Sequence, residues 1–179
     1  MIRTAKGEAL ERNVIVWDEG EANWLYFLGF YGKPIKVKKP RGSFQGALVL
    51  DPIESLYLVE RGRLKVVKDG KEVSFDELFN LFSSKYENLK DKYNVYRYLR
   101  DLGYVVLPGI KFGGDFAVYK RGPGIEHAPY ILKVIKEDQE LQASDIVLAG
   151  RLATSVKKKY IFAVPGNPPA LIGLEWWKG

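Results

Sequence analysis

The chain contains no cysteine and a single histidine, His127, in 179 residues. Disulfides, thiolate nucleophiles and cysteine-ligated zinc are therefore excluded. One imidazole cannot build a histidine-rich metal centre, so a metal site would need carboxylates. Long apolar runs are also missing: YIFAV and ALVL are far too short to span a bilayer. The opening MIRTAKGEAL lacks the apolar core of a signal peptide. These absences predict a soluble, cytoplasmic protein with no membrane-embedded part. Scarce Cys and Met beside abundant Lys, Arg and Glu follow the tendency of heat-adapted proteins. What is present supports real cores: 46% of residues are hydrophobic and 13% aromatic. The length allows one large domain or two small ones. A net charge of +6 and a pI of about 9.3 favour an anionic partner through counterion release, although many soluble proteins share that balance.

In the first half, Val14 to Trp17 reads as a short β-branched strand. Asp18 is placed to cap a helix with Ala22, Leu25, Tyr26 and Leu28 on its apolar side, ended by Gly29 and Gly32. The basic, Pro- and Gly-containing stretch KPIKVKKPRGSFQG reads as an exposed loop. It is a solvated connector or, through Lys36, Lys38, Lys39 and Arg41, an RNA-backbone contact. Ala47 to Leu50 reads as a strand. Asp51-Pro52 then opens a helix burying Ile53, Leu56, Tyr57 and Val59 and closed by Gly62. Leu64 to Val67, Asp69-Gly70 and Lys71 to Val73 predict a hairpin. Ser74 to Glu77 is a capping box for a helix carrying Leu78, Phe79 and Phe82.

The polar stretch SSKYENLKDKY can hold a domain boundary. After it, a helix burying Val95, Tyr96 and Leu99 stops at Gly103. Strands are expected at Tyr104 to Leu107, Asp115 to Lys120, Tyr130 to Ile135, Tyr160 to Val164 and Leu171 to Trp177. Between the third and fourth, SDIVLAGRLATSV is amphipathic through Ile146, Leu148, Leu152 and Val156, with Ser144 or Asp145 as cap. The second half thus reads as helix, three strands, helix, two strands. The expected fold class is α/β: a small N-terminal α/β scaffold domain over residues 1–84, and a C-terminal mixed-sheet α/β domain over residues 85–179.

Chemistry concentrates in DFAVYKRGPGIEHAPYILKV and SVKKKYIFAV. RNA carries its own nucleophile, the 2′-hydroxyl. Cleavage needs a base for that proton, an acid for the leaving 5′-oxygen and a cation for charge developing on phosphorus. Neither metal nor cofactor is required, and the products are a 2′,3′-cyclic phosphate and a 5′-hydroxyl. His127 suits the acid, because imidazole is the side chain whose ordinary pKa lies near neutrality, and it follows a loop open to substrate. Tyr119 ends a strand; as base it needs cations such as Lys120, Arg121 or Lys158 to lower its pKa. Lys158 could offset the transition-state charge. Arg151, upstream on the same helix, could stack on or pair with nucleotides. Each residue also has a plain reading: a surface histidine, a packed tyrosine, a solvated helix end and a surface arginine. Their joint pattern is what points to catalysis.

These stretches resemble the archaeal tRNA-splicing endonuclease family. YRYLRDLGYVVLPGIKFGGDFAVYKRGPGIEHAPYILKV is similar to the family's helix ending in R-x-x-G-Y, followed by G-x-K-[YF]-G-x-D-F-x-x-Y and E-H-[SA]. LAGRLATSVKKKYIFAV is similar to its G-R-x-x-x-S-V-[RK]-K-K. The N-terminal half matches more loosely, through ESLYLVERGRLKV and SFDEL. The resemblance implies that the C-terminal α/β domain is a catalytic nuclease domain, restriction-endonuclease-like, with Tyr119 as general base, His127 as general acid and Lys158 as transition-state cation. It implies that Arg151 forms one half of a cation–π sandwich on a bulged base, with Trp176 or Trp177 as a possible opposite half; strand packing is the other role open to those tryptophans. The implied substrate is precursor tRNA with a bulge-helix-bulge, recognised by shape and splayed bases. Two cuts imply a symmetric assembly: a homotetramer, a dimer of fused repeats, or a heterotetramer with a structural subunit. Glu137, Asp138 and Glu140 occupy the place of an acidic docking loop, or are simply solvated. KPIKVKKPRGSFQG looks like the basic insertion of crenarchaeal catalytic subunits, which implies a heterotetramer and a broader range of intron positions.

Three rivals are set against this reading. A noncatalytic subunit of the same complex would have lost the triad, which is retained here. A metal-dependent nuclease could use Asp115 and Lys133, but its middle carboxylate would fall at position 131, which is Ile131. A plain RNA-binding module fits the charge and the aromatics but leaves the Tyr–His spacing unexplained.

Overall fold

The computed structural model describes residues 3–38 and 40–174. It divides into two compact units, Met1–Tyr93 and Asn94–Gly179, each built around one sheet.

In the first unit the strands are β1 (Ala5–Ala9), β2 (Val14–Val16), β3 (Lys33–Pro34), β4 (Leu48–Leu50), β5 (Leu64–Lys68) and β6 (Lys71–Val73). Their order across the sheet is β3-β4-β2-β1-β5-β6. All pairings are antiparallel except β1 with β5. The sequence reading missed β1, because its AKGEA composition is poor in β-formers. Position within the sheet overrides that propensity. Ala5, Gly7 and Ala9 are buried, and a Cβ at Gly7 would collide with Val14 Cγ1. The small residues are what let the strand sit between two partners.

Three helices are set by their caps. Asp18 accepts from Glu21 N (2.8 Å) and starts α1 (Glu19–Gly29), which buries Ala22, Leu25 and Tyr26. Leu28, expected on that face, is 46% exposed. At about 100° per residue it falls opposite Tyr26, and Gly29 takes the inward position. Asp51 and Glu54 form a capping box at α2 (Pro52–Glu60), whose residues from Pro52 to Leu58 are all buried. Ser74 and Glu77 form another at α3 (Phe75–Ser83), with Leu78 and Phe82 buried. Glu54, 3% exposed, also accepts from Gly32 N (3.0 Å), so one buried carboxylate ties the entry to β3 onto α2.

The division between units falls within α4 (Leu89–Asp101). The second unit contains β7 (Val105–Pro108), β8 (Phe116–Tyr119), β9 (Tyr130–Val134), α5 (Ala143–Val156), β10 (Lys159–Val164) and β11 (Ala170–Leu174). Its strand order is β11-β10-β9-β8-β7. Only β9 and β10 are parallel, and α5 is their crossover. Tyr96 of α4 packs its ring on Phe116 at 5.8 Å. Arg100 is buried but satisfied: Nε donates to the Tyr96 hydroxyl (2.9 Å) and Nη2 to the Val106 carbonyl (3.0 Å). This buried guanidinium fixes the turn from helix to sheet.

Helix α5 differs from expectation. Gln142, not Ser144 or Asp145, is the N-cap; Asp145 lies in the first turn and accepts from Gln142 N at 2.9 Å. Ile146 and Leu148 are 46% and 56% exposed: the buried residues are Ala149 and Gly150, which lie one turn beyond Ile146 on its own face and on a different face from Leu148. The expected last strand, Leu171 to Trp177, is described as far as Leu174, and Trp176 and Trp177 lie outside the described residues. No helix among the described residues is long and apolar enough to cross a membrane.

Candidate active site

Strand β8 delivers Tyr119 at its end, opposite Val105 of β7, with the side chain 8% exposed. The chain then makes the loop 120–129 before β9. Glu126 folds back on the start of this loop, accepting from Arg121 N, and Glu126 N donates to the Gly122 carbonyl at 3.2 Å. A bridge between Pro123 and Glu126 closes the turn. The loop is thus held as one unit, with His127 at its exposed outer edge.

Lys158 reaches that loop from the other direction. Lys157 ends α5 in the left-handed region (φ 52) and reverses the chain. Lys158 is therefore turned inward: its Nζ donates to the Ala128 carbonyl at 2.7 Å. Lys159 N donates to the Pro129 carbonyl at 2.9 Å as the parallel pairing of β10 with β9 begins. His127 is bracketed in consequence. Its predecessor Glu126 is the carboxylate acting on the Tyr119 phenol, and the carbonyl of its successor Ala128 holds the Lys158 ammonium. Tyr119, His127 and Lys158 are brought to one loop. Among the described residues the His127 ring has no hydrogen-bond partner, so it is free to meet a ligand.

The electrostatics corrects one expectation. Burial first, and then the Glu126 carboxylate, push the Tyr119 phenol above its ordinary value; no cation among the described residues lowers it. The Lys158 ammonium is shifted down, by burial first and then by the neighbouring Lys111. Lys111, Phe112 and Glu126 are thus part of the surroundings, although the sequence reading gave them no role. Their signal was available only as unassigned positions of the K-F-G and E-H motifs.

The remaining candidates lie elsewhere. Arg151 is exposed on α5, with no partner among the described residues. Glu137, Asp138 and Glu140 are exposed in the turn after β9. Lys36, Lys38 and Arg41 are exposed in the first unit, and Lys39 lies outside the described residues. Their loop bounds an open concavity of about 380 Å³ lined by Lys36, Arg41 and Phe44 among others. It is anchored at Phe44, where Asn23 both donates to the carbonyl (2.7 Å) and accepts from the N–H (2.8 Å). The residues weighed for a metal site have structural partners. Asp115 accepts from Val134 N (2.8 Å) and pairs with Lys133 (3.7 Å), while Ile131 is 1% exposed in the core.

Comparison with known proteins agrees with this arrangement. Residues 5–79 match the model of the tRNA intron endonuclease N-terminal domain, and residues 89–168 that of the tRNA intron endonuclease catalytic C-terminal domain. The chain belongs to the tRNA intron endonuclease family. It is 47% identical over 172 residues to a tRNA-splicing endonuclease of Hyperthermus butylicus, covering 92% of this chain and 93% of that protein. It is 43% identical over 173 residues to one of Pyrobaculum islandicum (92% and 94%), and 37% identical over 160 residues to one of Sulfurisphaera tokodaii (88% and 89%).

Proposed function

We propose that this chain is the catalytic subunit of an endonuclease that removes introns from precursor tRNA by cutting at bulge-helix-bulge sites without a metal. The observation that carries this reading is the Lys158–Ala128 bond, which fixes an ammonium group beside the His127 loop while Tyr119 adjoins the same loop through Glu126. In this reading Tyr119 takes the proton of the 2′-hydroxyl. The 2′-oxygen attacks phosphorus, Lys158 balances the charge gained by the non-bridging oxygens, and His127 protonates the departing 5′-oxygen. The products are a 2′,3′-cyclic phosphate and a 5′-hydroxyl.

Burial and Glu126 keep Tyr119 protonated at rest. The active base is therefore a small tyrosinate fraction that grows with pH, and the high pKa makes that fraction a strong base once formed. Arg151 stacks on a bulged base, with Trp176 or Trp177 as its counterpart. Lys36, Lys38, Lys39 and Arg41 follow the RNA backbone.

Two cuts per intron call for paired sites. The assembly proposed is a heterotetramer with a structural subunit of the same family, using Glu137, Asp138 and Glu140 as docking contacts. Exposed Leu171 and Ile172 on edge strand β11 support association, since an apolar edge is a template for pairing. End-group analysis of the products, with and without excess EDTA, tests the chemistry. Cyclic phosphate and 5′-hydroxyl ends unaffected by EDTA are expected. Ends bearing 5′-phosphate, or loss of cleavage in EDTA, would overturn it. Light scattering tests the assembly: a chain that forms an active tetramer alone would replace the heterotetramer with a homotetramer.

A further inference from the structure

The segment between β7 and β8 is a short 3₁₀ turn, Ile110–Phe112, that carries Lys111 on its exposed side. It is locked from several directions. Gly109 N donates to the Asp115 carbonyl (2.9 Å) and Phe112 N to the Gly109 carbonyl (2.8 Å). The Tyr160 hydroxyl donates to the Gly113 carbonyl at 2.9 Å. A Cβ at Gly109 would stand 2.7 Å from the Phe116 carbonyl oxygen, so the turn lies directly on the β8 backbone. The Phe112 ring it presents has two cations on it: Lys111 Nζ at 4.8 Å from the centroid and Lys158 Nζ at 5.2 Å.

Two ammonium groups on one ring repel each other, and the quadrupole of a single phenyl offsets only part of that. Among the described residues neither Lys111 nor Lys158 has a carboxylate partner. The pair is therefore electrostatically incomplete, and an anion placed between or beside the two would relieve the repulsion. The turn carrying Lys111 is fixed by its hydrogen bonds, so its backbone is positioned in advance and only the lysine side chain is left to order on binding.

We infer that Lys111 is a second phosphate-binding cation of the cleavage centre, acting with Lys158 at the Phe112 ring to hold backbone phosphate oxygens of the RNA. This rests on the function proposed above and adds a residue to it. Lys158 serves the phosphate that reacts. Lys111 holds the strand, so its contribution is to affinity and alignment.

The test uses the assembled enzyme, a precursor tRNA and a matching RNA with 2′-deoxy sugars at the cut positions, which binds but cannot react. Lys111→Ala is expected to weaken binding of the deoxy RNA about tenfold and to reduce the log–log salt slope by about one contact's share, 0.7–0.9. It should slow single-turnover cleavage by about tenfold or more, and Lys111→Arg should restore most of both. Lys158→Ala is expected to cost far more in rate than in binding. Thermal melting confirms that each variant is folded. If Lys111→Ala leaves binding, salt slope and rate unchanged while Lys158→Ala is inactive, the inference fails and the proposed function stands. If Lys158→Ala cleaves normally, the proposed function fails. A loss at Lys111 with no change in salt slope and no rescue by arginine would make it a structural residue and overturn the inference.

Discussion

Two basic, glycine- and proline-bearing loops look alike in the sequence and are built differently in the structure. The loop of the first unit, between β3 and β4, is tethered to α1 by the paired Asn23–Phe44 hydrogen bonds and by Gly46 N on Glu19, and presents its described cations to solvent. The loop of the second unit, between β8 and β9, is clasped repeatedly: by Glu126 on Arg121, by the Pro123–Glu126 bridge, by Lys158 on Ala128 and by Lys159 on Pro129. Holding reacting groups in place needs the second design, since small misplacements are costly to rate. Following a flexible phosphate backbone needs only the first. Under the function proposed above, the same amino-acid types serve alignment where they are fastened and affinity where they are exposed.

The largest test of that contrast is at the clasped loop. Tyr119→Phe, and separately His127→Ala, are expected to slow cleavage by about 10²–10⁴-fold while affinity for uncleavable RNA changes little. An equal loss of binding, measured by filter retention, would make those residues structural. In the tethered loop, combining Lys36→Ala, Lys38→Ala and Arg41→Ala should lower affinity by an order of magnitude or more and flatten its salt dependence by about 0.7–0.9 per lost contact. The rate constant at saturating RNA should change far less, and a titration at several salt concentrations separates the two. Asn23→Ala removes the Phe44 tether without removing a charge, and leaves the Gly46 N–Glu19 bond (3.3 Å) in place. It should cost about 1–3 kcal/mol in thermal unfolding, as two buried partners lose their bond, with a smaller loss of affinity than the triple variant.

The pH dependence is a finer test. Because Tyr119 is shifted up, the alkaline limb of tyrosinate formation should lie above the ordinary value of ~10, while cleavage does not rise with it, since the acid step needs a protonated His127. Glu126→Gln removes the negative charge and should move that limb to lower pH, which tyrosinate difference absorbance can follow. Stability runs the opposite way. Tyr26, Tyr119 and Tyr160 are all shifted up by burial, so the folded state holds their protons more tightly than the unfolded one. Their contribution is complete below the ordinary tyrosine value of ~10 and is lost as pH rises through the folded values. A melting temperature that fails to fall in strong alkali would contradict this.

Most of the framework is legible in the sequence where local chemistry decides. Asp18, Asp51 and Ser74 announce helix starts, and Asp69-Gly70 announces a hairpin, with φ of 50 and 77. What escapes is set by distant neighbours. β1 is a strand because β2 and β5 flank it, not because of AKGEA. Leu148 has helical spacing with Leu152 and Val156, yet the residues α5 buries are Ala149 and Gly150. At the candidate site, Tyr119, His127 and Lys158 are proposed from the sequence. The groups that set their electrostatics, Glu126 and Lys111, could not be, because which charges meet is a property of folded distance.

The left-handed Lys157 gives three consecutive, identical side chains three different addresses: one in water, one against Ala128, one starting a strand. Backbone handedness, not composition, singles out the middle member. A β-branched replacement of Lys157, which resists that handedness, would misdirect an untouched neighbour. Grafting this lysine into another scaffold would likewise fail unless the reversal travelled with it.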